Sequence, residues 1–150
     1  MEINSEELIG ILKNKIALYE HLGIEVVKIR SEEVRFRVSL EKNRNHKGTA
    51  FGGSLYASAV LAAYALVLAG LKERSIPTEN IVIAKGEIQY LRPVDTDFEI
   101  VCRFPSQSHE EDFYRELTST GRVRGSITSQ ILGAGGSLKA SLTGVFVVKL

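Results

Sequence analysis

The chain has 150 residues, 44% hydrophobic and 25% charged, a balance that predicts one ordinary globular domain over 1–150. Nineteen basic residues against 18 acidic ones leave a formal charge of +1 with no Lys/Arg stripe, which argues against nucleic acid as a partner. Cys102 has no second cysteine to pair with, His21, His46 and His109 lack the spacing of metal ligands, and Glu2, Glu6 and Glu7 replace the basic start of a signal peptide; a cytoplasmic protein without metal or other cofactor is expected.

Residues 5–22 predict an amphipathic helix capped by Asn4 or Ser5, with Leu8, Leu12, Ile16 and Tyr19 at helical spacing and Gly23 as its stop. Ile24–Arg30 and Val34–Leu40 alternate like two strands around a turn at Ser31–Glu33. A polar stretch, Glu41–Thr49, leads into Gly52-Gly53 and a segment, Ser54–Leu71, that is apolar on every side. The run from Gly48 to Leu71 carries no charge and has the length of a membrane span, but its Gly, Ala and Ser content and its amphipathic neighbours predict a buried central helix and no membrane.

Four further strands are expected. Val82, Ala84, Gly86, Ile88 and Tyr90 form one face, with Ala84 and Gly86 small enough for a helix to approach, and Phe98, Ile100, Cys102 and Phe104 form another. A polar connection, Pro105–Thr120, precedes Val123–Ile131 and Leu138–Val148, which the turn Gly133-Ala134-Gly135-Gly136 joins as a hairpin. The order predicts an α+β domain, a curved antiparallel sheet of about six strands around a long central helix, with an N-terminal helix beside it. Such a sheet leaves an edge strand or helix face open, which predicts a homodimer.

The chemistry-bearing stretch is Asn43-Arg44-Asn45-His46-Lys47-Gly48-Thr49-Ala50-Phe51-Gly52-Gly53-Ser54-Leu55-Tyr56. Amides at a helix start are unpaired and glycines let a ligand reach them, so this place suits a carbonyl oxygen gaining negative charge; a tight turn alone is the simpler reading of the glycine pair. His46 has a suitable intrinsic pKa for acid–base work, and Asn45 could orient water. Glu87, mid-strand beside Lys85, is the first choice among carboxylates as a base, although a solvated or interface salt bridge is the simpler reading. Ser54 holds a substrate or caps the helix, Ser58 slims the helix for packing, and Cys102 is a buried, inert thiol. Asp95 and Asp97 fit turn chemistry.

The order of elements, together with Asn, Gly and then Gly-Gly before the central helix, resembles the hotdog-fold thioesterase superfamily over nearly the whole chain. Thr49-Ala50-Phe51-Gly52-Gly53-Ser54-Leu55 is most similar to a bacterial thioesterase branch that also occurs fused to acetyltransferase domains, and Tyr90-Leu91-Arg92-Pro93-Val94 is similar to the superfamily's third-strand ending. The resemblance implies hydrolysis of an acyl-CoA or acyl-carrier-protein thioester by direct water attack. It places the oxyanion N–H on Gly53, and by the phenylacetate-pathway pattern the Asn role on Asn45. Phe51, Gly52, Ser54 and Arg92 then contact the substrate, Arg92 with Lys47 and Arg122 as candidates for CoA phosphates. A homodimer or homotetramer is implied. Two departures stand out: Phe51 replaces the frequent His before Gly-Gly, and Val60 replaces the helix acid. The Asp of the 4-hydroxybenzoyl-CoA type is also absent, since residues 42–58 contain no carboxylate. A non-catalytic acyl-thioester-binding module is the alternative, and an assembly scaffold a third.

Overall fold

The computed structural model describes residues 4–150; Glu2 lies outside them. The elements are α1 (Ser5–Lys15), a 3-10 turn (Ala17–His21), β1 (Ile24–Ile29), β2 (Val34–Val38), α2 (Gly52–Glu73), β3 (Ile81–Tyr90), β4 (Phe98–Arg103), α3 (Gln107–Thr120), β5 (Arg122–Leu132) and β6 (Leu138–Lys149). The six strands form one antiparallel sheet in the order β1-β2-β4-β5-β6-β3. Helix α2 packs against all six of them, which is the architecture that the sequence predicts. By length and composition α2 could cross a membrane, yet most of it is buried among the strands and α1.

Burial follows the alternation that the sequence shows. Val34, Phe36 and Val38 of β2, Phe98, Ile100 and Cys102 of β4, and Ala140, Leu142, Phe146 and Val148 of β6 turn inward onto α2. Cys102 is fully buried and its thiol is pushed up to about 12 by that burial, against a smaller opposite pull from a Ser129 hydrogen bond, so it is inert as a nucleophile. Asp97 serves its turn, accepting the Leu40 amide at 2.9 Å.

Three local expectations need correction. The N-terminal helix stops at Lys15, because Ile16 is extended (φ −121°, ψ 99°), and the chain continues as a 3-10 turn until Gly23 enters the left-handed region at φ +65°. Asn4 is the cap, its side chain accepting the Glu6 amide at 2.9 Å.

The stretch Pro105–Thr120 is not a mere connection, since Gln107–Thr120 is helical. Ser106 caps this α3 by accepting the His109 amide, Gly121 ends it at φ +82°, and Phe113, Tyr114 and Leu117 form its narrow buried stripe.

In β3 the register shifts between Ile83 and Lys85, so Ala84 bulges out of the ladder. The bulge reverses the phase. Ile81 and Ile83 join Gly86 on the α2 side, while Val82 and Ala84 are exposed. Gly86, not Ala84, makes the close approach, since a Cβ there would lie 1.9 Å from the Tyr56 hydroxyl oxygen.

Candidate functional site

The loop before α2 is built by two asparagines. Asn43 is buried, and its side-chain amide donates to the carbonyls of Leu22 and Ser39, both at 2.7 Å. Its own carbonyl accepts the Phe51 amide at 2.7 Å, so one residue ties the end of the 3-10 turn and the end of β2 to the start of α2. Asn43→Ala removes two donors from carbonyls that keep only partial solvent access, and should cost about 1–2 kcal/mol. Thermal unfolding is expected to show a Tm lower by a few degrees, roughly 2–4 °C per kcal/mol in a chain of this size; an unchanged Tm would mean that water replaces both bonds.

Asn45 closes the next turn. Its side-chain oxygen accepts the amides of Lys47 (2.9 Å) and Thr49 (3.1 Å), and its Nδ2 donates to Thr49 Oγ1 at 2.9 Å. This is an Asx-type turn, with Gly48 at φ +78° completing it. Ala50 then fastens the loop to the segment after β3 by donating to the Val94 carbonyl at 2.8 Å.

Helix α2 begins at Gly52 with Phe51 as an extended N-cap residue that supplies no side-chain hydrogen bond, so Ser54 does not cap it. The amides of Ser54 (2.9 Å) and Leu55 (3.1 Å) donate to the Phe51 carbonyl. Those of Gly52 and Gly53 have no acceptor among the described residues, as the opening turn of a helix dictates. No carboxylate lies in the first turn, so the positive end of the helix dipole is uncompensated there. The Phe51 ring crosses Gly53: its Cε2 lies 2.6 Å from where a Cβ would be.

One opening meets this helix start and a second begins one turn further along α2. A cleft of ≈ 320 Å³ is lined by Thr49, Gly52, Leu55, Tyr90, Arg92 and Pro93, among others. A groove of ≈ 440 Å³ runs along α2 past Tyr56, Val60 and Tyr64, with Leu18, Ile83 and Phe146 as further walls, and its surface is almost wholly apolar. Tyr56, seated on Gly86, stands at the near end of the groove.

The structure brings together Phe51, Gly52, Gly53 and Arg92 around the helix start. Asn45 sits one contact behind, through Thr49, with its side-chain oxygen already engaged twice. His46 is exposed on the same loop and makes no hydrogen bond or ion pair to the described residues. Ser54 is partly exposed without a polar partner among them. Glu87 is exposed and pairs with Thr143, on the side of β3 opposite Gly86 and Ile88, so it points away from α2 of its own chain. Val60, at the position of the missing helix acid, is a groove wall. Ser58 is fully buried, and its hydroxyl has no partner among the described residues. Among them no three His, Cys, Asp or Glu side chains gather closely enough to hold a metal.

Sequence reasoning missed Tyr90 as a site residue. Its hydroxyl donates to the Gly52 carbonyl at 2.8 Å, and its ring lies 3.4 Å from where a Gly52 Cβ would be. The available signal was its phase with Gly86 and Ile88 at the end of a strand facing the glycine pair.

The family described as "Putative thioesterase (yiiD_Cterm)" matches residues 5–150. Three solved structures share the fold: a Chlorobaculum tepidum TLS protein of unknown function (24% identity, TM-score 0.88, covering 97% of this chain and 93% of that one), a Shewanella oneidensis protein named as a putative thioesterase (23%, 0.83, 97% and 96%), and a Pseudomonas aeruginosa protein of unknown function named as a probable thioesterase (20%, 0.82, 99% and 97%). No curated protein matches the sequence.

Proposed function

The chain belongs to this thioesterase family, and on that premise we propose that it hydrolyses acyl-CoA or acyl-carrier-protein thioesters by direct attack of water. The observation that carries the proposal is the pair of unpartnered amides, Gly52 and Gly53, at the uncompensated positive end of α2, with a cleft at Gly52 and an apolar groove that begins one turn further along the helix at Tyr56. The thioester carbonyl sits against the Gly53 N–H, the acyl chain follows the groove, and the thiol-bearing arm leaves through the cleft past Arg92. Water adds to the carbonyl carbon, the oxyanion is held by the amides, and collapse breaks the C–S bond to release thiol and acid.

His46 is the group we assign to the water's proton, because it is the titratable side chain of the loop nearest neutral in intrinsic pKa. Asn45 shapes the loop and presents it. Glu87 has no geometric claim within its own protomer, so its role requires a second copy. The exposed edge strand β3, with Val82 55% exposed, and the open apolar groove beside it support a dimer formed across this face.

Thiol release from a panel of short, long and aromatic acyl-CoA esters and carrier-protein esters tests the proposal. Turnover is expected for the intact chain, a loss of about 10²-fold or more for His46→Ala, and near-normal rates for Glu87→Gln. Absence of turnover on every thioester would move the assignment to a binding module, the reading favoured by the lack of any carboxylate lining the cleft or the groove.

A further inference from the structure

Helix α2 starts under poor local conditions for order. It lacks a side-chain cap, lacks a first-turn acid and opens on two glycines, the residues with the most backbone freedom to lose. An oxyanion donor nevertheless has to be held in a fixed direction before the charge arrives.

The Gly52 carbonyl and the Gly53 N–H belong to one peptide unit, which is planar and trans, so whatever fixes the oxygen fixes the N–H on its far side. That oxygen accepts the Tyr90 hydroxyl at 2.8 Å. The ring rests on Gly52, with ring atoms 3.4–3.5 Å from where a Cβ would lie, which is van der Waals contact distance. The base of the side chain is anchored too, since Tyr90 pairs with Ala140 across the ladder and the next two amides, Leu91 and Arg92, both donate to the Lys139 carbonyl at 2.8 and 3.0 Å.

We propose that Tyr90 is a positioning residue which, through its hydrogen bond to the Gly52 carbonyl, aims and polarises the Gly53 N–H as the oxyanion donor. Accepting a hydrogen bond at the oxygen draws electron density from the amide nitrogen and strengthens its N–H as a donor, so the bond acts on direction and on strength. The phenol is protonated and able to donate at neutral pH by its ordinary pKa of about 10, which burial first and the nearby Tyr56 hydroxyl second push further up. The catalytic consequence rests on the thioesterase reading above; the orientation of the peptide does not.

Tyr90→Phe separates the two. The ring and its packing stay, and the side chain is 53% exposed, so the Tm is expected to remain at the wild-type value. In ¹⁵N-labelled protein the Gly53 amide resonance should shift and its order parameter fall from about 0.85 toward 0.6. On acyl-CoA thioesters kcat should drop about tenfold with KM unchanged, the split produced by losing an interaction made in the transition state. An unmoved Gly53 resonance overturns the proposal, and so does a shifted resonance with wild-type kcat. Should the wild-type chain hydrolyse nothing, the hydrolase reading falls, and the Gly53 resonance alone decides whether Tyr90 sets the peptide.

Discussion

Gly53→Ala is expected to lower kcat/KM for acyl thioesters by about 10²-fold, equivalent to about 2.7 kcal/mol of lost transition-state stabilisation, while the protein stays folded. Both halves follow from the same geometry. The added methyl would lie 2.6 Å from Phe51 Cε2 and 3.2 Å from Cδ2, too close for either to stay where it is. The Phe51 ring is 58% exposed and can swing outward, so the clash relaxes without disturbing the core. Gly53 does not occupy the left-handed region, and alanine in a helix is favoured over glycine by about 1 kcal/mol, so thermal unfolding should show an equal or higher Tm. The displaced ring and the methyl instead crowd the face from which a carbonyl oxygen would reach the amides. Steady-state kinetics beside a thermal melt reads both effects, and a fully active Gly53→Ala would remove Gly53 from the reaction.

The sheet and its helix were legible because their signals are collective. In β2 the alternation of Val34, Phe36 and Val38, and in α2 the absence of any charge through Leu71, each allow only one burial pattern. Where one residue decides, the pattern misled. The bulge at Ala84 moved Val82 to the exposed side and Ile83 to the groove, and no propensity at Ala84 announces it. Helix α3 was hidden for a different reason, since a helix lying on the outside of a sheet needs only a narrow stripe, here Phe113, Tyr114 and Leu117, and the rest of its surface reads as a polar loop. Ser106 and Gly121 at its two ends were the signals that could have revealed it.

The site divides in the same way. That free amides would collect at Gly52 and Gly53 follows from helix geometry and needed no structure. That Asn45 folds back on Lys47 and Thr49, or that Tyr90 arrives from a strand 38 residues away in sequence, depends on how loop and sheet meet in space. A side chain that acts through a backbone carbonyl leaves no spacing to read.

Gly70→Ala should be the opposite kind of change, harmful to stability and neutral to chemistry. A methyl at Gly70 would lie 1.9 Å from the Tyr114 hydroxyl, 2.3 Å from its Cζ and 2.8 Å from Cε2. Unlike Phe51, Tyr114 has nowhere to go. It is 2% exposed, its hydroxyl donates to the Val67 carbonyl at 3.2 Å, and its ring is flanked by Phe113 and Phe104 with centroids 5.1 and 5.9 Å away. The Arg74 guanidinium covers the ring at 4.1 Å while pairing with Glu110 at 2.8 Å, so shifting Tyr114 also strains the tie between α2 and α3. Overpacking costs about 1–3 kcal/mol, at the upper end here because Tyr114 cannot move aside, and the helix preference for alanine returns about 1 kcal/mol, leaving a net loss of about 2 kcal/mol and a Tm lower by roughly 4–8 °C. If the clash is the cause, Tyr114→Leu together with Gly70→Ala should lose less than the sum of the two single changes, whereas strict additivity would locate the damage elsewhere. Gly70 lies about 26 Å along α2 from Gly53 at 1.5 Å per residue, so turnover per folded molecule should be unchanged at temperatures well below the melt. A drop in kcat there would mean that α2 transmits strain along its whole length to the amides at its start.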